Sequence, residues 1–399
     1  MSLSRRQLAS TLAAAALAGG RARAQDAGPV RIGALSDLSS AYSDLSGPGL
    51  IQGVRMAIAD HGPVLGRPVE LVSADCLLKP DVAAGIARQW WDNGGVDAII
   101  DLPSTPVALA VMQISEERRK IVLATSPGSS DVTGKSCSPY TSHWCYDSFA
   151  MARTIGSAMM RQGAKTWFFI AANYGFGAAL VSDASDYIGA NGGKVLGVVR
   201  APLNTTDFSS YLVEAQASGA DVVALANGGA DTVNAIKQAA EFGLRRTQKL
   251  AALVLMDTDV HSIGLQVAQG TLLATAFYWD RTEASRAWSR RFYQAVGRMP
   301  TMLQAGAYSQ AAHYLKAVQA AGTKDAEAVM ARMRAMPVRD FFAEGTVRAD
   351  GRMVHDMYLA QVKAPQDSKE PWDQYRIVET LSGDEAFRSM AAGGCRLVR

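Results

Sequence analysis

Short, nearly continuous apolar runs alternate along most of the chain with stretches whose apolar positions recur at helical spacing. Val30 to Leu38 (VRIGALSDL) is such a run and precedes a helical pattern from Leu50 to Asp60. VELVSADC (69–76) leads into a helix over Val82 to Trp91, and VDAIIDL (96–102) into a helix over Val107 to Arg118. KIVLATS (120–126) closes this first set of four strands. Runs without inside–outside alternation belong to strands buried on both faces, so the pattern predicts a parallel sheet covered by helices on each side.

The pattern then restarts. SFAMARTIGSAMMRQG reads as a helix, KTWFFIAAN (165–173) as a strand, and GFGAALVSDASDYIGANGG as a helix stopped at Gly192-Gly193. KVLGVVRAP (194–202), DFSSYLVEAQASG, ADVVALAN (220–227), DTVNAIKQAAEFG and KLAALVLM (249–256) continue the alternation. The expected fold is therefore α/β, with two doubly wound parallel sheets of similar size and a break near Tyr140 to Asp147. Helices follow GTLLATAFYWD through Met336, and strand-like MYLAQVKAP (357–365) and YRIVETL (375–381) finish the chain. No linker rich in Ser, Gly and Pro separates the halves, which predicts short crossings between two lobes.

The first 24 residues fall outside this pattern. Arg5 and Arg6 precede an apolar run from Leu8 to Leu17, and Ala22-Arg23-Ala24 is a small-x-small cleavage site. The run is shorter than the about 20 apolar residues that span a bilayer. These features predict a signal peptide over residues 1–24, by the Sec or the twin-arginine route. No lipobox cysteine follows, so the expected product diffuses freely in the periplasm without stable membrane insertion. Without the leader the 40 basic residues fall to 36 against 37 acidic, and the formal charge goes from +3 to −1. No basic footprint for nucleic acid remains. About 375 residues exceed what one core usually serves, in keeping with two lobes.

Chemistry has few footholds. Cys76, Cys137, Cys145 and Cys395 allow up to two disulfides in three pairings in an oxidising compartment. No Cys-x-x-Cys or His-x-x-x-His occurs, so no structural metal is expected. Gly47-Pro48-Gly49-Leu50-Ile51-Gln52-Gly53 has the wrong spacing for a dinucleotide turn, and no nucleophile elbow or phosphate loop is present. His143 has no nucleophile near it in sequence. Neither a cofactor nor catalysis is expected.

Ligands of open α/β sheets bind beyond the carboxyl ends of the strands. In the first half these ends carry Ser39-Ser40-Ala41-Tyr42-Ser43-Asp44, Pro103-Ser104-Thr105-Pro106 and Pro127-Gly128-Ser129-Ser130. In the second they carry Asn173-Tyr174-Gly175, Asn227-Gly228-Gly229-Ala230-Asp231 and Asp257-Thr258-Asp259. Hydroxyls and helix-start amides suit an anion such as a carboxylate. The aromatic and acidic residues of the second half suit an apolar body or an ammonium group. Taken singly, Ser104, Ser129 and Asp231 also fit ordinary helix N-caps.

These phrases, RIGALSDLSSAYSDLSGPGLIQGVRMAIAD, KIVLATSPGSSDVTG, NYGFGAALVSDASDYIGANGGKVLG and GTVRADGRMVHDMYLAQVK among them, resemble type I periplasmic binding proteins of branched-chain amino acid ABC transporters. The resemblance spans nearly the whole mature chain in order. It implies three strands of hinge between lobe 1 (28–144 plus 275–350) and lobe 2 (145–274 plus 351–399). It also implies a monomer that carries a small carboxylate-bearing ligand to an inner-membrane ABC permease. Ser104, Thr105, Gly128, Ser129 and Ser130 would hold the carboxylate. Tyr42 and Tyr174 would enclose the body, Asp257 or Asp259 would meet an amino group, and Asn227 is a further candidate ligand residue. The position of the family's second-lobe tyrosine falls in Gly228-Gly229-Ala230, which has no ring, and this favours a larger or non-amino acid ligand. The resemblance also favours a Cys137–Cys395 bridge, leaving Cys76 and Cys145 free or paired together. A sensor of the same fold, or an exported α/β hydrolase, are the competing readings.

Overall fold

The computed structural model describes residues 28–398, so the expected signal peptide lies outside the described residues. The first sheet is built from β1 (Val30–Ser36), β2 (Val69–Asp75), β3 (Ala98–Asp101), β4 (Ile121–Ala124) and β5 (Thr141–His143), all parallel, in the order β2-β1-β3-β4-β5. Helices α1 (Gly47–His61), α2 (Pro80–Asp92) and α3 (Thr105–Arg118) connect them. The central strands β1, β3 and β4 are almost wholly buried, whereas the edge strand β2 is half-exposed. This is why their sequences read as continuous apolar runs. The fifth strand lies inside the stretch that the sequence suggests as a break, because three residues are too few to show a period.

The second half begins with α4 (Ser148–Arg161). It continues through β6 (Thr166–Ala172), α5 (Gly175–Ala190), β7 (Lys194–Ala201), α6 (Ser209–Ala217), β8 (Val222–Ala226), α7 (Ala230–Glu241), β9 (Lys249–Ala252), α8 (Asp257–Ile263), α9 (Leu265–Ala268) and β10 (Leu272–Thr275). Its parallel part has the order β7-β6-β8-β9-β10, the same topology as the first sheet. The chain then returns to the first sheet with α10 (Glu283–Val296), α11 (Met302–Ala321) and α12 (Ala326–Ala335). Thr301 and Gln304 close a capping box at the start of α11. That helix lies against α1 so closely that a Cβ on Gly53 would stand 2.5 Å from the Gln304 carbonyl oxygen.

A small antiparallel sheet of β11 (Val338–Arg339), β12 (Glu344–Val347) and β13 (Met353–His355) follows, which the sequence pattern does not announce. β14 (Met357–Val362) and β15 (Tyr375–Leu381) then add two antiparallel strands beyond β10. The two sheets are thus five- and seven-stranded, and the larger one is mixed where two equal parallel sheets are expected. The chain crosses between them at 144–147, at 276–282 and at 356.

Beyond β15 the short helices α13 (Gly383–Ala386) and α14 (Met390–Gly393) lead back to the first half. There Arg388 donates to the Ser130 carbonyl at 3.2 Å, Arg396 pairs with Glu116, and Cys395 is bonded to Cys137. Cys76 and Cys145 are free and buried. The bridge closes a loop of 258 residues. Replacing both cysteines by serine should therefore lower stability by about 2–5 kcal/mol, chiefly by releasing the unfolded chain. Urea denaturation checks this, and an unchanged midpoint would show that the tail contributes nothing.

Candidate functional site

The carboxyl ends of the two parallel sheets face each other, and each sheet's strand order reverses where a ligand crevice is expected, between β1 and β3 and between β6 and β8. Between these points lies a narrow cavity with about 30 Å³ of space open to water-sized molecules. Tyr42, Ser46, Ser104, Thr105, Ser126 and Gly128 wall it from the first half, together with Leu45, Pro103 and Leu303. Tyr174, Phe176, Gly228, Val254 and Met256 wall it from the second, with Tyr146 at the crossing.

Each wall has a local cause. After β1, Asp37 accepts from the Ser40 amide at 3.0 Å, the Ser40 hydroxyl at 2.7 Å and the Tyr42 amide at 2.8 Å. This Asx-type turn aims the Tyr42 ring into the cleft. After β3, Ser104 is the extended N-cap of α3, yet its hydroxyl makes no bond to its own helix. Pro106 follows at the second helical position, so the hydroxyl and the unspent amides of the first turn remain open to an anion. The Thr105 hydroxyl is partly committed, since it accepts from the Ser129 amide at 3.2 Å. Tyr174 starts α5, and its hydroxyl meets that of Tyr42 across the cleft. Burial pushes the Tyr174 phenol up to about 12, so it stays a neutral donor and acceptor.

Two glycines let the halves approach. Gly128 lies under Phe176, and a Cβ there would stand 2.2 Å from the ring. Gly229, at φ +62°, lies against Ala41 and Tyr42, and a Cβ would stand 2.9 Å from the Ala41 carbonyl oxygen. Gly229 is thus required by the fit of Tyr42, whereas a Cβ at Gly228 would meet only ordinary contacts with Val254 and Phe176.

The structure brings Tyr42, Ser104, Thr105, Gly128 and Tyr174 to one cavity and places four other expected ligand residues outside its wall. The Ser129 hydroxyl caps a short 3₁₀ turn by accepting from the Asp131 amide at 3.2 Å. The Ser130 hydroxyl donates to Asp183 of α5 at 2.9 Å, beside Ser148 at 2.5 Å, so it ties the halves together. Asn227 accepts from Thr232 in the first turn of α7 at 2.7 Å. Asp257 is fully buried at the start of α8, where loss of solvent pushes its carboxyl up to about 8 and leaves it mostly neutral at pH 7. Asp259 caps the same helix, accepting from the Met256 amide at 2.9 Å, and is pushed up to about 7. Neither acid lines the cavity, and burial disfavours the charged form of both.

Sequence reasoning does not reach Ser46, Ser126, Tyr146, Phe176, Met256 or Leu303. Phe176 and Met256 stand within two residues of residues it does single out. Leu303 lies on α11, some 200 residues further along than Gly128 and Ser104, and only the packing of α11 on α1 brings it in.

The sequence profile of the periplasmic binding protein family matches residues 29–369. Among solved structures, a periplasmic binding protein from Burkholderia mallei shares 47% identity, covering 94% of this chain and all of its own, at TM-score 0.91. A branched-chain amino acid ABC transporter periplasmic ligand-binding protein from Burkholderia xenovorans LB400 shares 41%, covering 92% of this chain and 99% of its own, at TM-score 0.85. The Leu/Ile/Val-binding protein homolog 6 of Brucella melitensis is 26% identical over 355 residues, 85% of this chain and 88% of that protein. All three are binding proteins by name. With the fold, the doubled switch point and the profile in agreement, the chain belongs to the periplasmic binding protein family of ABC transporters.

Proposed function

We propose that this protein is the exported solute receptor of an ABC importer, closing its two lobes over a small carboxylic acid and presenting it to an inner-membrane permease. The observation that carries the ligand class is the make-up of the cavity wall. Four aromatic rings, Tyr42, Tyr146, Tyr174 and Phe176, surround a narrow space, and among the described residues no acidic or basic side chain lines it. A site for an amino acid needs a charged or strongly polar partner for the ammonium group, since an unpaired buried cation is costly. The open Ser104 hydroxyl and the first turn of α3 suit a carboxylate, while the rings suit a flat or branched apolar body.

The test is a thermal-shift and calorimetric comparison of aromatic acids, branched aliphatic acids and the matching amino acids. An acid without an amino group should bind best, and at 100 times its dissociation constant it should stabilise the protein by about 2.7 kcal/mol. Preference for leucine or phenylalanine would overturn the ligand class. In the same assay Ser104→Ala should weaken binding of the best acid by about 1–3 kcal/mol, because a charged ligand loses a hydrogen bond. Unchanged affinity would remove Ser104 from the site.

A further inference from the structure

Directly behind the cavity wall, at the end of β3, sits a carboxyl group that the ligand site as described does not use. Asp101 is fully buried. Its backbone lies at φ +92° and that of Leu102 at +64°, two successive left-handed residues of which neither is glycine. One carboxyl oxygen accepts the Ser36 hydroxyl at 2.5 Å, and the other accepts the Ser126 hydroxyl. Ser126 lines the cavity, so Asp101 decides which way that hydroxyl points.

The side chains that face Asp101 are neutral or acidic, and the buried Arg352 beside this stretch bonds the carbonyls of Trp144, Tyr146 and Met353, not Asp101. β1 contributes Ser36 and Asp37, the segment before α1 contributes Ser46, and the turn after β2 contributes Cys76. β4 leads to Ser126, and the stretch after β5 brings Cys145 and Tyr146. Burial pushes the Cys76 thiol up to about 12 and raises Cys145 and Tyr146 as well, so none of these supplies a charge at neutral pH. No Lys, Arg or His lines the cavity or bonds to Asp101 among the described residues.

We propose that Asp101 is a positioning residue whose protonation accompanies ligand binding, so that a carboxylate enters the site together with one proton from solvent. The proposal rests on the carboxylate reading above. As an anion, Asp101 can only accept, so the Ser126 hydrogen points backward and the cavity meets Ser126 lone pairs, which repel a carboxylate. Once protonated, Asp101 donates to Ser126 Oγ, and the Ser126 hydrogen turns forward to the ligand. The incoming anion then does not face a second buried anion with no cation between them. Burial already pushes the Asp101 carboxyl up to about 7, within reach of this coupling at physiological pH.

The experiment is calorimetry of wild type and Asp101→Asn with the best-binding acid, in two buffers of different ionisation heat, between pH 6 and 8.5. For wild type, the difference in binding heat between buffers should grow from little at pH 6 to the amount expected for uptake approaching one proton at pH 8.5. Its affinity should fall as pH rises, by up to about tenfold per pH unit above the Asp101 pKa. In Asp101→Asn both dependences should vanish. Equal wild-type heats in the two buffers at pH 8.5, or parallel pH profiles for the two proteins, would overturn the proposal and leave the acid-receptor reading intact. If no acid binds at any pH, that reading falls and the proposal with it.

Discussion

Replacing Arg352 by methionine is expected to destabilise the protein by about 3–5 kcal/mol, the cost of breaking a buried, hydrogen-bonded charge on one side only. Arg352 is fully buried, just before the last crossing between the two sheets. Its guanidinium donates to the Tyr146 carbonyl at 2.8 Å, to the Met353 carbonyl at 3.0 Å and to the Trp144 carbonyl. It also stands 3.6 Å from the Asp147 carboxylate and 4.6 Å from the centre of the Phe387 ring. Burial lowers its pKa to about 10, which still leaves it charged at pH 7. Methionine fills much of the volume but satisfies none of these acceptors, and it removes the cation beside the buried Asp147. The carbonyls of 144 and 146 belong to the first crossing strand, so one side chain laces the first and last crossings together. Urea denaturation at pH 7 is the measurement. A loss below about 1 kcal/mol would mean that water or His355, which already contacts the carbonyls of Trp144 and Cys145, takes over the role.

Gly128→Ala is expected to weaken ligand binding by ten- to a hundredfold while the protein stays folded. The added methyl would stand 2.2 Å and 2.7 Å from two atoms of the Phe176 ring and 3.0 Å from the Tyr146 hydroxyl. Phe176 is 6% exposed and cannot swing clear without opening the wall. Because Gly128 and Phe176 belong to opposite lobes, the clash exists only when the lobes are together. Overpacking of this kind costs about 1–3 kcal/mol, and here the cost falls on closure instead of on folding. Calorimetry with the best acid, and small-angle scattering with and without it, check the two halves of the expectation. Closure and affinity equal to wild type would show that Phe176 yields and that Gly128 does not gate the approach. Loss of the folded state would show instead that the contact is needed for folding.

How far the sequence leads is visible at individual residues. Tyr42, Ser104, Thr105, Gly128 and Tyr174 are found because strand ends in a parallel sheet mark the crevice, and strand ends show in the alternation of apolar runs with polar turns. Ser129 and Ser130 occupy equally good positions in sequence, yet one caps a turn and the other bonds to Asp183. A hydroxyl's partner depends on the direction of its side chain, which strand and helix periodicity do not encode. Asp257 looks like a counter-ion in the sequence and is a buried, mostly neutral helix-start residue in the fold, because burial moves its pKa more than any neighbour in sequence does. Ser126 and Asp101 are passed over for the opposite reason. They look like ordinary strand-end residues until the β3–β4 pairing sets them side by side.

The sequence by itself determined the α/β class, the repetition of one strand–helix theme in two halves and the strand ends from which a site had to be drawn. Those features follow from local periodicity and from which faces of each element avoid water. The Cys137–Cys395 bond that the resemblance favours is present, whereas the tertiary structure alone decided that the second sheet gains two antiparallel strands and that Phe176 rests on Gly128. It also decided that the cavity wall carries rings and hydroxyls without a charge. Each of these depends on contacts between residues dozens to hundreds of positions apart, and such contacts are fixed by how whole elements pack.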